Sequence, residues 1–393
     1  MTMKKQTKAI HTGFRRDDAY GAIAMPVYHT CAYEFPDTDK MADSFCGRSD
    51  DPDYSRVTNP TVIHFEDRIK ALTGALDVVA VNSGMAAISN ALITLTSSGH
   101  NIVTSRHLFG NTFALITNTL SRFGIEARCI DLTDLNDVEN AIDEKTSCVF
   151  LEIITNPQFE VADIPAIASL AHAKNVALVA DTTAIPFTEF DAKSLGIDIE
   201  IISSTKYISG GATSVGGLII DYGTIEGFRH RMRFDTLMNL GAYMNPHAAY
   251  MQTLGLENLD ARYRLQSANA LELAKRLRNM NGIVKVNYIG LPEHPYHSVS
   301  ARQFGPTGGA MMTIELPTEQ ACYDFLNRLK IVKRATNLFD NKTLAIHPWS
   351  TIFGPFDPEK RRLMDIKETT IRISVGLEDM DDIAADINQA LGN

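Results

Sequence analysis

Lys206 is the residue whose surroundings point most directly to chemistry. It follows the apolar-rich run 197–202 and a hydroxyl cluster, Ser203-Ser204-Thr205. A glycine-rich stretch from Gly210-Gly211 to Gly216-Gly217 comes after it. A lysine at the end of a core strand is costly unless its charge has a partner or a task. An amine there, with hydroxyls beside it able to hold a phosphate, suggests a Schiff-base lysine carrying pyridoxal 5'-phosphate. Taken alone, a Ser-Thr-Lys triplet is more often a surface lysine at a strand end, so the reading depends on the rest of the chain.

Such chemistry needs an acid to keep a pyridine nitrogen protonated, a flat group to stack on the ring, donors for a phosphate and an arginine for a substrate carboxylate. Asp181 ends the run 176–180, one strand–helix–strand step before Lys206. Its alternative role is a helix cap or a plain strand-end charge. Ser83-Gly84-Met85 lies between a strand and a helix, where the first helical amides favour an anion. An SG pair can equally mark only a tight turn. Ser203 and Thr205 add hydroxyls. Tyr54-Ser55-Arg56 lies far from the sheet in sequence. Its arginine suits bidentate phosphate binding, and the alternative is an exposed loop ahead of Pro60. Arg372 alternates with apolar residues in Thr370-Ile371-Arg372-Ile373-Ser374, a pattern also expected of a surface arginine on an edge strand.

These residues are positioned by a recognisable succession of elements. Residues 1–58 carry glycine, proline and scattered aromatics without sustained periodicity, and read as an N-terminal arm with little core of its own. Residues 59–255 alternate apolar runs with helical patterns. Strands are expected near 78–81, 102–104, 127–130, 148–153, 177–180, 199–202 and 217–220. This is an α/β arrangement: a mainly parallel seven-stranded sheet covered on both faces. Sites in such sheets lie at the carboxyl ends of strands. Asn82-Ser83-Gly84, Asn156-Pro157, Asp181-Thr182-Thr183 and Ser203 to Lys206 all fall there. Residues 256–393 open with a long helical segment, 256–280, and continue as a smaller α+β domain with strands near 284–288, 310–315 and 370–375.

Bulk properties narrow the function classes. The formal net charge of −10 argues against a nucleic-acid or anionic-membrane binder. The opening residues lack the apolar stretch of a signal peptide, and no apolar run approaches the ~20 residues that span a bilayer. The five cysteines form no CxxC pair, and Cys129 and Cys148 sit in strand-like runs. Reduced, buried thiols in a cytoplasmic protein are expected. His294 and His297 lie in a Pro-rich loop without partner ligands, so no metal site is expected.

The segments YSRVTNPT (54–61), NSGMAAI (82–88), ITNPQFEVADI (154–164), SSTKYISGGATSVGG (203–217) and RISVGLED (372–379) resemble the Cys/Met-metabolism pyridoxal phosphate enzymes. That group includes cystathionine γ-synthase, the cystathionine lyases, methionine γ-lyase and the O-acylhomoserine sulfhydrylases. The resemblance runs from about Thr7 to the C-terminus. It implies the PLP-dependent fold type I, which is aspartate-aminotransferase-like, and a homotetramer of two tight dimers with sites shared between subunits. By this likeness Tyr54 and Arg56 reach the phosphate of a neighbouring subunit, while Ser83, the Gly84 and Met85 amides, Ser203 and Thr205 hold the chain's own. Asn156 would bond the ring hydroxyl, Asp181 the ring nitrogen, and Lys206 would form the covalent link. Arg372 would clamp the substrate carboxylate, with Asn337 nearby.

Departures from the family pattern bear on the reaction. The stacking residue, usually Tyr in Leu-Tyr-Gly, is Phe109. Thr182 stands where Asn is usual, and Phe339 where Gly is usual. The stretch 349–353 is bulkier than in relatives, and together with Phe339 it is expected to reshape the substrate entrance. A thiolate leaving group, with a conjugate acid near pKa ~8.5, benefits from a proton donor. A carboxylate, with an acid near ~4.3, does not. Loss of the phenol at Phe109 therefore favours acyl esters over thiol-releasing substrates. Asn111 also stands where methionine γ-lyases carry cysteine, and the chain most resembles O-acetylhomoserine sulfhydrylase. The expected activity is γ-replacement on O-acetyl- or O-succinyl-L-homoserine with sulfide. The alternatives are a γ-lyase, a cystathionine γ-synthase, or a cofactor-binding relative without catalysis.

Overall fold

A computed structural model describes residues 3–12 and 20–393. Seven strands form the larger sheet: β1 (Asp77–Val81), β2 (Asn101–Ser105), β3 (Glu126–Ile130), β4 (Thr146–Glu152), β5 (Ala177–Asp181), β6 (Ile199–Ile202) and β7 (Gly217–Asp221). Their order is β1-β7-β6-β5-β4-β2-β3. The pairings from β6 through β3 are parallel, whereas β7 runs antiparallel to both β1 and β6.

Strand alternation sends Val78, Ala80, Leu178 and Ala180 into one apolar layer and Val79, Val81, Val179, Ile199 and Ile201 into the other. The first layer is closed by helices Pro60–Thr73 and Ile164–Ala173, through Phe65, Ile69, Ile167 and Ala171. The second is closed by helix Gly84–Leu95, through Ile88 and Leu92. Both faces are thus covered, as a parallel sheet requires. Edge strand β3 is the exception, and Cys129 on it is exposed, contrary to the expectation of a buried thiol. Cys148, in the interior strand β4, is buried.

The smaller sheet contains β8 (Lys285–Asn287), β9 (Met311–Glu315), β10 (Lys333–Arg334), β11 (Leu344–Ile346) and β12 (Thr370–Ser374), in the order β10-β11-β12-β9-β8. The two- and three-residue strands β10 and β11 are too short to leave a period in the sequence. Helices Leu259–Leu277, Glu319–Arg328 and Met380–Leu391 pack on this sheet through Leu273, Leu277, Phe325, Ile383 and Ile387. The long helix starts later than its apolar pattern suggests. Asn258 (φ −116°, ψ 14°) leaves helical geometry and divides it from helix Pro246–Glu257.

Among the described residues up to 58, only Ala9 is buried. Helix Lys5–His11 is attached by polar bonds: Lys5 Nζ to Thr188 O, Gln6 Nε2 to Glu257 O, and Arg68 Nη1 to Ala9 O. Residues 1–2 and 13–19 of the expected arm lie outside the described residues.

Candidate active site

The carboxyl ends of β4, β5 and β6 bring Glu152, Asp181 and the 203–206 turn together. Asp181 is the last residue of β5, opposite Glu152 on β4 and Ile201 on β6. One carboxylate oxygen of Asp181 accepts the Thr183 N–H at 2.9 Å. Burial raises the Asp181 pKa, against the pull of Thr183 and the Lys206 charge. Lys206 follows as the strand turns, and its Nζ donates to Asn337 Oδ1 at 2.8 Å. Burial, reinforced by the Arg372 charge, pushes the amine down to about 8, with Asp181 opposing. An amine so placed is available in its neutral, nucleophilic form close to neutral pH.

Arg372 lies on β12, between β11 and β9, and is fully buried rather than on a surface edge. Its Nη1 donates to Asn156 Oδ1 (3.2 Å) and its Nη2 to Thr336 O (3.1 Å) and Asn337 O (3.5 Å). Its Nε is buried without a partner among the described residues. These three acceptors are neutral, and burial lowers the guanidinium pKa to about 9. Lys206, Asn337, Arg372 and Asn156 therefore form one continuous run of polar contacts joining the two sheets.

Glu152, which the sequence reading passed over, extends that run. Its Oε1 accepts the Phe109 N–H at 2.7 Å, and the Asn156 N–H also bonds its carboxylate. Burial and the Asp181 charge push its pKa to about 8. The signal was present in the sequence, since Glu152 ends an apolar run as Asp181 does. Beneath Asp181 a second unforeseen carboxyl, Glu200, is fully buried. It accepts hydroxyls from Thr182 (2.6 Å) and Tyr222 (2.6 Å), and burial raises it to about 7.

Ser83 caps helix Gly84–Leu95 through the Ala86 N–H at 3.1 Å. Gly84 and Met85 supply the first amides of that helix, which point past its start. A Cβ on Gly84 would lie 2.7 Å from Ser203 Cβ and 2.8 Å from Ser203 Oγ, so this backbone must approach Ser203 closely. The Ser203 N–H is held by Thr183 Oγ1 (2.8 Å), and the Thr205 hydroxyl bonds both Gly216 O (3.1 Å) and Gly216 N (3.0 Å). Tyr54 and Arg56 are exposed. Arg56 stacks over the Tyr54 ring at 5.4 Å and donates to Met238 O at 2.8 Å.

Of the bulky residues of 349–353, the two largest face inward. Trp349 and Phe353 are buried in the apolar cluster with Leu108, Phe113, Met364 and Ile366, because large rings there fill the space behind the Phe109 loop. His294 and His297 bond Asn287 Oδ1 and Ile289 O, and burial lowers His294 to about 4.

The model of the Cys/Met metabolism PLP-dependent enzymes matches residues 6–392. The chain belongs to that family. An L-methionine gamma-lyase of Fusobacterium nucleatum subsp. nucleatum is 35% identical over 398 residues, covering 100% of this chain and 99% of the relative. An O-succinylhomoserine sulfhydrylase of Pseudomonas aeruginosa is 37% identical, covering 98% of this chain and 94% of the relative. A crystal structure of a suspected O-acetylhomoserine (thiol)-lyase from Campylobacter jejuni superposes with a TM-score of 0.96 at 31% identity, covering all of both chains, and carries pyridoxyl phosphate on a lysine. The protein is thus a pyridoxal-phosphate-dependent enzyme of fold type I acting in the chemistry of sulfur amino acids.

This chain's residues fit that cofactor. The Gly84–Ser203 approach leaves helical amides and a hydroxyl converging where an anion can sit. A carboxylate and a depressed-pKa amine lie on adjacent strand ends.

Proposed function

We propose that the protein catalyses γ-replacement on O-acetyl- or O-succinyl-L-homoserine with sulfide, releasing the carboxylate and giving homocysteine. The observation that carries this reading is Phe109. Its backbone is fixed by Glu152, but its side chain has no acidic proton to give a leaving thiolate. The acyl carboxylate leaves without one.

In this reading Lys206 attaches the cofactor. Asp181 would hold the ring nitrogen and Asn156 the ring hydroxyl, and Phe109 would offer its ring for stacking. Ser83, the amides of Gly84 and Met85, Ser203 and Thr205 hold the phosphate, completed by Tyr54 and Arg56 of a neighbouring subunit in a homotetramer. When bound, pyridoxal phosphate supplies an electron sink that makes the substrate Cα and Cβ protons acidic. Arg372 offers the unpaired donor of its guanidinium to the substrate carboxylate, with Asn337 at its side. Lys206 Nζ takes the proton from Cα, serves Cβ next, and returns a proton after the Cγ–O bond breaks and the Cγ–S bond forms. We place the enzyme in the cytoplasm, with an arm at 1–58, a cofactor domain at 59–255 and a C-terminal domain at 256–393.

The 35% identity to a methionine gamma-lyase favours elimination as the second reading. Purified enzyme given O-acetylhomoserine, O-succinylhomoserine, cystathionine and methionine, each with and without sulfide, decides between them. Homocysteine formed from an acyl ester and sulfide should exceed ketoacid release from the thioethers. The opposite ranking rejects the replacement reading.

A further inference from the structure

Phe339 has a left-handed backbone, φ 55°, which a bulky residue rarely adopts unless its surroundings compel it. What compels it is visible. Its ring is fully buried and stacks on Tyr207, the neighbour of Lys206, with centroids 4.0 Å apart and planes 10° from parallel. Its N–H donates to Ser374 Oγ at 2.6 Å, on the strand that carries Arg372. Tyr207 is held in turn, packing edge-on against Tyr263 and accepting the Ala310 N–H at 3.2 Å. Asn341 Nδ2 adds a second tie from the Phe339 loop to Gly210 O at 3.0 Å. Two residues before Phe339, Asn337 accepts Lys206 Nζ, and its carbonyl accepts from Arg372. The stack is the apolar pin between the loop that bears the amine and the loop that supports the guanidinium.

We propose that Phe339 is a positioning residue: its ring, stacked on Tyr207, fixes the Asn337 loop against the Lys206 loop, so that the amine and the carboxylate-binding end of the site keep one separation. The carboxylate-binding part rests on the function proposed above. Without the ring, Asn337 loses its register with Nζ, and the carbonyls that orient Arg372 shift with it. A tyrosine at 339 keeps the flat stack, whereas glycine relaxes the backbone and removes the ring.

The test is a double-variant cycle on the full-length holoenzyme: Phe339→Gly, Phe339→Tyr, Asn337→Ala and the Phe339→Gly/Asn337→Ala pair, with Phe339→Leu as a folding control. Two quantities are read, the pH midpoint of the bound cofactor's absorbance and the steady-state constants for an O-acylhomoserine. Phe339→Gly is expected to move the midpoint by at least about half a pH unit, matching Asn337→Ala. It should raise KM roughly tenfold with kcat changed less than about threefold. Phe339→Tyr restores both, and Asn337→Ala adds little in the glycine background. A Phe339→Gly enzyme with unchanged midpoint and KM, or fully additive effects, overturns the proposal. So does insolubility of both Phe339→Gly and Phe339→Leu, which would mark a plain core residue. If the parent enzyme does not turn over acyl esters, the proposed reaction fails, and the absorbance cycle still decides the role of Phe339.

Discussion

Arg233 and Arg372 both reach into the interior, and their surroundings are opposite. Arg233, at the amino edge of the larger sheet, grips Asp77 with Nε (2.6 Å) and Nη2 (2.9 Å), and Nη2 also meets Glu66 at 3.0 Å. Burial works against its charge, but the two carboxylates raise its pKa overall. Among the described residues Arg372 meets neutral oxygens and has a partnerless Nε, and burial lowers its pKa to about 9. The first arginine is a completed structural pair tying β1 to helix Pro60–Thr73. In the proposed reaction the second is the cation that would receive the substrate carboxylate. A buried charge kept without its partner is the pattern expected where function outweighs stability.

Substitution by methionine should separate the two. Arg233→Met strands Glu66 as a buried carboxylate and leaves Asp77 only Arg229 at 3.7 Å, and is expected to cost about 3–5 kcal/mol in chemical denaturation. Arg372→Met removes an uncompensated charge, so the folded protein should become more stable, by on the order of 1–3 kcal/mol. The same change should raise KM for the amino-acid substrate about a hundredfold. A destabilised Arg372→Met protein with unchanged KM would break the contrast.

Buried glutamates extend the comparison. Glu66 has a guanidinium, whereas Glu200 has only the Thr182 and Tyr222 hydroxyls, and burial lifts Glu200 to about 7. In the unfolded chain it titrates near ~4.3. Between those values the folded state binds the extra proton, so this group's contribution to stability falls as pH rises and is fully unfavourable above about 7. Glu200→Gln should therefore melt with the parent near pH 4–5 and above it at pH 8–9, by up to about 3 kcal/mol. Parallel melting curves across that range would contradict the assignment. The smallest effect is expected at Phe109→Tyr: acyl-ester turnover within about twofold, with thiol elimination rising by about tenfold. Stopped assays on acetylhomoserine and cystathionine measure both.

The strand-end residues were legible because parallel-sheet strands are short, apolar and directly followed by the groups they present. Asp181, Ser203 and Lys206 each sit at such an end. Glu152 obeys the same rule and was missed for want of a familiar motif. Arg372 was ambiguous because alternation on β12 is the same for a surface and an interior strand. Only the pairing of β12 between β9 and β11 decides it. The Phe339–Tyr207 stack and the Thr182–Glu200 bond join residues far apart in the chain, and no local period records them. Trp349 and Phe353 show a related limit: their bulk is visible in the sequence, but the apolar space behind the Phe109 loop that they fill is not.

The proposed chemistry requires Lys206 to be the amine that carries the cofactor. Borohydride reduction of the holoenzyme followed by peptide mapping reads this directly. The prediction is a stable pyridoxyl group on the peptide containing Lys206, lost in Lys206→Ala. A label on another lysine, or a protein that takes up no cofactor at all, would contradict it.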